Sequence, residues 1–166
     1  MIMEEKLAQI DALLKRNPDP KGGSRAAAGL REMLQDMAAT GNRRKDPIRE
    51  VFARIGDKWS VLLLLLLDMQ SFRHSTLRRL VGLVSAEGEI SPRIFRLRVR
   101  SLERDGLVLR QLLPSHPPAV IYALTDTGIG LVKQIESLMA WTRSHCDDIR
   151  QAQHLYDATV IKEPSE

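Results

Sequence analysis

The longest apolar run in the sequence is Val61–Leu67, seven aliphatic residues without a polar interruption. A membrane-spanning helix needs roughly 20 apolar residues, so this run is far too short to cross a bilayer. It lies inside a nearly wholly apolar segment, 58–68, which predicts a helix with no polar face to turn toward water. Other elements of the chain must therefore surround it. Because aromatic residues make up only 4% of the chain, the core around this helix is expected to be mostly aliphatic.

Chain length and cysteine usage limit the class of protein. A chain of 166 residues corresponds to one domain with short extensions and is long enough to bury a core. The only cysteine, Cys146, rules out an intramolecular disulfide and fits a reducing compartment. The first residues include Glu4 and Glu5 where a secretory signal would be basic, so a cytoplasmic location is expected.

The first third of the chain predicts helices separated by a linker. Apolar residues recur at helical spacing in 4–16 and again in 25–39. Residues 17–24 between them contain four prolines and glycines, which indicates a linker. A third helix is predicted from Pro47, which suits a first helical position, to Gly56, which suits the end of a helix.

The centre of the chain predicts a helix-turn-helix. Three elements follow the apolar helix: a turn at 70–72, a short helix at 74–81 and a loop at 82–90. Ser91 and Pro92 then form a strong helix start, a capping residue followed by a proline at the first helical position. This helix is predicted to end at Asp105, because Gly106 can adopt the left-handed conformation that closes helices.

A β-hairpin and a last helix follow. Leu107–Leu113 and Ala119–Leu124 predict two strands, joined by the rigid loop Pro114–Pro118. Thr125 is a capping residue for one final long helix. The order of elements predicts a mainly α fold with a small β-hairpin, the winged helix-turn-helix.

Positive charge is concentrated in the centre of the chain. Residues 70–110 hold nine basic and four acidic side chains, whereas residues 111–166 hold four and seven. A basic block inside a folded region, followed by an acidic remainder, is typical of a protein that binds a polyanion. A solvated basic face without a partner gives the same counts.

Four arginines share one face of the predicted helix 91–105. At about 100° per residue they fall within an arc of roughly 80°, and they are Arg93, Arg96, Arg100 and Arg104. The other side is apolar, with Ile94, Phe95, Val99 and Leu102. Arg98 lies among these apolar residues and is expected to pair with an acid or to extend toward solvent. A helix of this size fits the major groove of DNA, where arginine binds guanine or a phosphate. The alternative is an exposed basic face on a core helix.

Further DNA contacts are predicted around this helix. The additional candidates are Ser91, Arg73, Arg78, Arg79, Lys58 and, at the hairpin tip, Ser115 and His116. Contacts of this kind to phosphates set position and affinity rather than sequence preference. Each of the basic residues alone is more often an ordinary surface charge. The tip lacks arginine and lysine and is equally compatible with a simple connector.

The chain resembles the HxlR-type winged helix-turn-helix regulators over about residues 46–143. The resemblance depends on several motifs in order: Ile55-Gly-Asp-Lys-Trp59, Leu77-Arg-Arg-Leu80, Ile90-Ser-Pro-Arg93, Leu102-Glu-Arg-Asp-Gly-Leu-Val108, Pro117-Pro118, Tyr122-Ala-Leu-Thr125 and Gly128. It implies a DNA-binding transcription regulator, most often a repressor. It also implies a homodimer, in which terminal helices pair the subunits and two recognition helices meet neighbouring half-sites.

Three regions are expected on this basis. Residues 1–45 form an N-terminal helical extension with a linker, and residues 46–128 form the DNA-binding domain. Residues 129–166 form a C-terminal dimerisation helix and tail. A second alternative is a ligand-responsive regulator, in which an unidentified small-molecule effector binds in a pocket at the dimer interface lined by the Val61–Leu67 helix and by Trp59 or Trp141. Residues of this kind are more often part of the core.

The sequence departs from the family pattern at several positions. Members that sense oxidants carry cysteine-proline before the first helix, whereas this chain has Asp46-Pro47, so the usual thiol switch is absent. Ala119 and Ile121 replace an arginine and a glutamate that are common after the double proline, which weakens the case for wing contacts. The loop 83–90 is longer than usual. Residues 1–45 lie outside the resemblance, and they fit either a dimer contact or a flexible arm.

Other chemistries are weakly supported. Cys146 lies near two histidines and two acids, but a structural zinc site needs four ligands in place. The acids that follow Cys146 disfavour its thiolate, so a redox role is not expected. Gly128-Ile-Gly130 lacks the third glycine of a dinucleotide loop, and no catalytic triad or carboxylate pair stands out. We therefore expect no enzyme activity, no cofactor and no metal. The main rival is a winged-helix protein-interaction module that does not bind DNA.

Overall fold

The computed structural model describes residues 2–16, 23–41, 45–114 and 118–160. The chain divides into two compact units, Met1–Ala53 and Arg54–Glu166. Helices dominate both units, and the second unit also contains a three-stranded antiparallel sheet. Among the described residues, no helix is long and apolar enough to span a membrane.

The first unit contains α1 (Ile2–Arg16), α2 (Gly23–Asp36) and most of α3 (Pro47–Ile55). Both predicted N-terminal helices are present, and α3 begins at the predicted proline. The chain continues from α2 as a π-helical turn, Met37–Gly41. An exposed ion pair of 2.9 Å joins Arg31 of α2 to Asp11 of α1. Residues 17–22 of the predicted linker lie outside the described residues.

Helix α4 (Lys58–Met69) is the centre of the second unit. Its leucines at 63, 64, 66 and 67 are buried, and its neighbours are α5, α6, α7 and the strand β3, whose bounds are given below. The prediction of an apolar helix surrounded by other elements is confirmed. Asp57 caps this helix by accepting hydrogen bonds from the backbone amide (2.8 Å) and hydroxyl (2.6 Å) of Ser60, a polar residue that is fully buried.

Two predictions for the segment between α4 and the predicted helix 91–105 are wrong. The predicted turn at 70–72 instead leads into a short strand, β1 (Phe72–Arg73), because Phe72 pairs with Tyr122 in the sheet. The predicted short helix continues past residue 81, so α5 spans His74–Val84 and the loop begins at Ser85. Gly82 does not break this helix. A Cβ there would lie 3.3 Å from the Cα of Glu89, so the glycine lets the returning loop pass closely.

Helix α6 spans Pro92–Arg104 and has the predicted ends. The hydroxyl of Ser91 accepts a hydrogen bond from the amide of Ile94 at 3.2 Å, and Gly106 closes the helix with a φ of 70°. Two strands follow, β2 (Val108–Leu113) and β3 (Ala119–Leu124), which form the predicted hairpin. With β1 added, the sheet has the order β1–β3–β2, so β2 lies at one edge.

The C-terminal region contains two helices rather than the predicted single one. Helix α7 (Asp126–Ser144) starts at Thr125, whose hydroxyl accepts from the amide of Gly128 at 3.0 Å and donates to the Gly106 carbonyl at 2.6 Å. Helix α8 (Cys146–Val160) begins after an interruption at His145. Side chains just before the break donate to carbonyls one turn earlier, and such bonds compete with the helical ladder.

Candidate nucleic-acid interface

The surface of α6 is divided as its sequence predicts. Phe95, Val99 and Leu102 are buried against the core. The exposed face carries the arginine stripe, which we define as Arg93, Arg96, Arg100 and Arg104. The stripe is therefore exposed to solvent, and its contact with DNA stays a prediction.

Arg98 fixes α6 to the start of α4. It forms an ion pair of 2.8 Å with Asp57, the residue that caps α4, and both side chains are largely buried. This confirms that Arg98 pairs with an acid. Because Asp57 serves both the helix cap and the ion pair, the orientation of α6 is coupled to the first turn of α4.

Leu97 belongs to the exposed face of α6 and is absent from the predicted contacts. It is 52% exposed, and by helical spacing it lies about 40° from Arg93, beside the arginine stripe. The same angular count could have identified it. An exposed aliphatic side chain at this place has the chemistry to contact a thymine methyl group in the major groove.

A second group missed from the sequence connects α5, α6 and the sheet. Arg110 of β2 lies directly opposite Tyr122 in the strand pairing, and the presence of its guanidinium lowers the pKa of the Tyr122 hydroxyl. That hydroxyl is 3.4 Å from Nδ1 of His74, whose ring packs edge-on against Phe95 with centroids 4.9 Å apart. No local sequence motif predicts this group, because its members come from four different elements.

The ionisation of this group reflects burial and positive charge. Burial lowers the pKa of His74 below its ordinary value, and the positive charges of Arg78, Arg96 and Arg110 lower it further. Burial raises the pKa of Tyr122, and the guanidinium of Arg110 opposes that shift. In the free protein the ring of His74 is therefore biased toward its neutral form.

The predicted contacts outside α6 differ in how available they are. Arg73 and Arg79 are exposed, whereas Arg78 is half-buried and donates to the carbonyl of Ile90 at 3.5 Å. Lys58 forms an ion pair of 2.7 Å with Glu87 and lies 5.5 Å from the ring centre of Trp59. The pKa of Glu87 is lowered chiefly by its hydrogen bond from Lys58. A phosphate would therefore compete with Glu87 for this lysine.

The remaining predicted residues are less informative. The Ser91 hydroxyl is exposed, and it can still donate its proton while it accepts from the helix. Ser115 and His116 lie outside the described residues, so their role stays a prediction. Cys146 is a half-buried free thiol, and no cluster of three potential metal ligands occurs in the described ranges.

A short helix, a turn, a second helix with exposed arginines and an adjoining antiparallel sheet together define a winged helix-turn-helix DNA-binding protein. The family model for the HxlR-like helix-turn-helix matches residues 54–150, and the chain belongs to this family. Members of the family are transcriptional regulators, so the protein is a DNA-binding regulator of transcription and not an enzyme. The resemblance read from the sequence is confirmed.

Known relatives and solved structures agree with this assignment. The chain is 30% identical over 103 residues to the uncharacterized HTH-type transcriptional regulator YtfH of Escherichia coli, covering 62% of this chain and 77% of the relative. It is 27% identical over 107 residues to the HTH-type transcriptional regulator YodB of Bacillus subtilis, covering 64% of this chain and 90% of YodB. A putative transcriptional regulator, ytfH from Salmonella typhimurium, superposes with a TM-score of 0.55 at 28% identity, covering 68% of this chain and 95% of that structure.

Proposed function

We propose that the protein is a homodimeric, cytoplasmic repressor that inserts α6 into the major groove of its operator, with the arginine stripe reading bases and phosphates. This proposal rests on the exposure of all four arginines on one face of α6, whose other face is buried in the core. Bidentate arginine–guanine contacts supply sequence preference, while arginine–phosphate contacts supply affinity. Arg73 and Arg79 add phosphate contacts beside the groove.

The test is DNA binding by an Arg96→Ala/Arg100→Ala variant. Because each lost arginine contact costs about 1–3 kcal/mol, affinity for the duplex upstream of the gene is expected to fall about a hundredfold or more. Fluorescence anisotropy measures this at about 50 and 200 mM salt, and the wild type should weaken by a factor of about a thousand or more between the two. The variant should show a shallower salt dependence.

A Lys6→Ala/Arg25→Ala variant is the matched control, since it removes the same charge from α1 and α2, which lie outside the residues matched by the family model. It should bind within about threefold of the wild type if only remote charge is lost. Equal weakening of both double variants would contradict a specific role for α6. Failure of folded wild type to bind even a random-sequence duplex at low salt would favour the protein-interaction module instead.

The homodimer is supported by apolar residues left exposed on the last two helices. The exposed set comprises Leu138, Met139, Trp141, Ile149, Leu155 and Tyr156. A monomeric protein rarely exposes so many large apolar side chains on adjoining elements, so we assign α7 and α8 to the subunit contact. A role of α1 and α2 in the subunit contact stays a prediction.

A charged residue in this patch is expected to separate the subunits. Leu155→Lys places an ammonium group where the partner would pack, so sedimentation should change from a dimer to a single chain of 18.7 kDa. Leu112→Lys on β2 is a close control, because the two leucines are 64% and 65% exposed. The control should remain dimeric, and dimers of Leu155→Lys would remove α8 from the proposed interface.

We assign the site of a small-molecule effector to the groove between α4 and α7. The groove has a volume of about 610 Å³ and is lined by Leu65, Met139, Lys133 and Glu136 among others. Leu65 belongs to the apolar helix that was expected to line such a pocket. Trp141 is 55% exposed, so it does not belong to the core, and it is not among the residues that line this groove.

A further inference from the structure

The group around His74 brings three guanidinium groups to one half-buried ring. Arg78 comes from α5, Arg96 from α6 and Arg110 from β2, and each is close enough to act on the ring electrostatically. Tyr122 of β3 contacts the ring directly, and it also feels Arg100 and the single carboxylate of Glu103. These are the charged and titratable groups that face His74 from the elements packed around it. Like charges so placed repel each other, which favours the approach of an anion.

The exposure of the group indicates the side from which an anion would approach. Arg96 and Arg110 are exposed, whereas Tyr122 is buried and His74 lies half-buried behind them. The strand pairing places Arg110 beside this group, because it sets Arg110 directly opposite Tyr122 of the central strand. An anion that bridges Arg96 and Arg110 would therefore lie at the junction between α6 and the wing.

We propose that this junction binds one backbone phosphate of DNA through Arg96 and Arg110, and that the ring of His74 takes up a proton when the phosphate arrives. The inference rests on the proposed placement of α6 in the major groove, because the sheet beside α6 then lies over the phosphates that border the groove. The ligand is a phosphodiester, which pairs with arginine in a bidentate geometry.

The direction of the proton movement follows from the charges. In free protein the pKa of His74 is lowered by burial and by the three arginines. A bound phosphate adds negative charge and offsets the arginines, which raises that pKa in the complex. Because the complex then holds the proton more tightly than the free protein, binding takes up a proton. Affinity for DNA therefore rises as the pH falls through the pKa of the complex, and the gain ends below the pKa of the free protein.

Calorimetric titration with the upstream duplex at about pH 6.5, in two buffers of different ionisation enthalpy, measures the uptake. Up to about one proton per protomer is expected for the wild type, which makes affinity rise up to about tenfold per protomer for each pH unit lowered. His74→Gln should abolish the uptake. Arg110→Gln, at an exposed position, should weaken binding about five- to tenfold and reduce the uptake. His154→Gln on α8 should leave the uptake unchanged.

Each outcome bears on the inference separately from the proposed function. The inference would be overturned if the proton uptake persists in His74→Gln, or if it is lost in His116→Gln. Proton uptake with millimolar inorganic phosphate alone would overturn the assignment to DNA. If the Arg96→Ala/Arg100→Ala variant loses binding while the wild type takes up no proton, the groove placement stands and only this inference fails. If that variant binds normally, both fail. Melting curves of His74→Gln and Arg110→Gln establish that both variants are folded.

Discussion

Gly128→Ala is expected to destabilise the second unit by about 3 to 5 kcal/mol. Gly128 is buried in the first turn of α7, where a Cβ would overlap the carbonyl oxygen of Leu107 and lie 3.2 Å from the Leu124 side chain. The carbonyl has little freedom to move, because it accepts a hydrogen bond from the amide of Thr125 at 3.1 Å. The start of α7 must therefore shift away from the sheet.

Urea unfolding of Gly128→Ala and Gly130→Ala gives the cleanest comparison. Gly130 lies two residues further along the same helix, and its added Cβ meets no described atom within 4 Å. Alanine is the better helix former, so Gly130→Ala should stabilise the protein by up to about 1 kcal/mol. Changes of the same sign in the two variants would show that the close approach of α7 to Leu107 is not a constraint on the fold.

Asp57→Ala is expected to cost about 3 to 5 kcal/mol of unfolding free energy. The substitution removes the cap of α4 and the partner of the buried Ser60 hydroxyl, and it leaves Arg98 without its carboxylate. The Nε atom of Arg98 is already buried without a hydrogen-bond partner among the described residues. Without the Asp57 carboxylate and without a partner for Nε, the Arg98 guanidinium would move toward solvent and displace α6, so DNA affinity should fall as well.

Three further variants separate the two roles of Asp57. Asp57→Asn keeps a capping oxygen but loses the charge, so its loss of stability should be intermediate. Arg98→Met should recover part of the stability when added to Asp57→Ala, because it removes the unpaired charge. A complete double-mutant cycle in urea measures the coupling. Additive losses would mean that Asp57 and Arg98 act independently, contrary to their 2.8 Å contact.

The sequence predicts best those features whose causes are local. The bounds of α6 follow from Ser91, Pro92 and Gly106, and its two faces follow from helical spacing alone. Strand β1 was missed because Phe72 becomes a strand residue only through its pairing with Tyr122, fifty positions away. The end of α5 was predicted too early for the same kind of reason, since the place of Gly82 inside the helix is set by the approach of Glu89.

In the candidate site, too, some residues could be predicted from local spacing and others depend on tertiary contacts. The arginine stripe lies on one helix, so spacing identifies it, whereas the group around His74 depends on contacts among α5, α6, β2 and β3. The type of partner for Arg98 was predictable from its apolar surroundings, but its identity as Asp57 required the packing of α6 on α4. The break between α7 and α8 was missed because apolar spacing continues up to it.

The position of β2 at the edge of the sheet has a consequence for handling the protein without its DNA. Beyond β2 no further strand pairs among the described residues, and Leu109 and Leu112 are both exposed along it. An open strand edge with apolar side chains is a template for self-association. Arg110 and Gln111 lie between the two leucines and oppose this self-association, since edge-to-edge stacking would remove the Arg110 guanidinium from water. Substituting Arg110 is therefore expected to remove both the proposed phosphate contact and a safeguard of solubility.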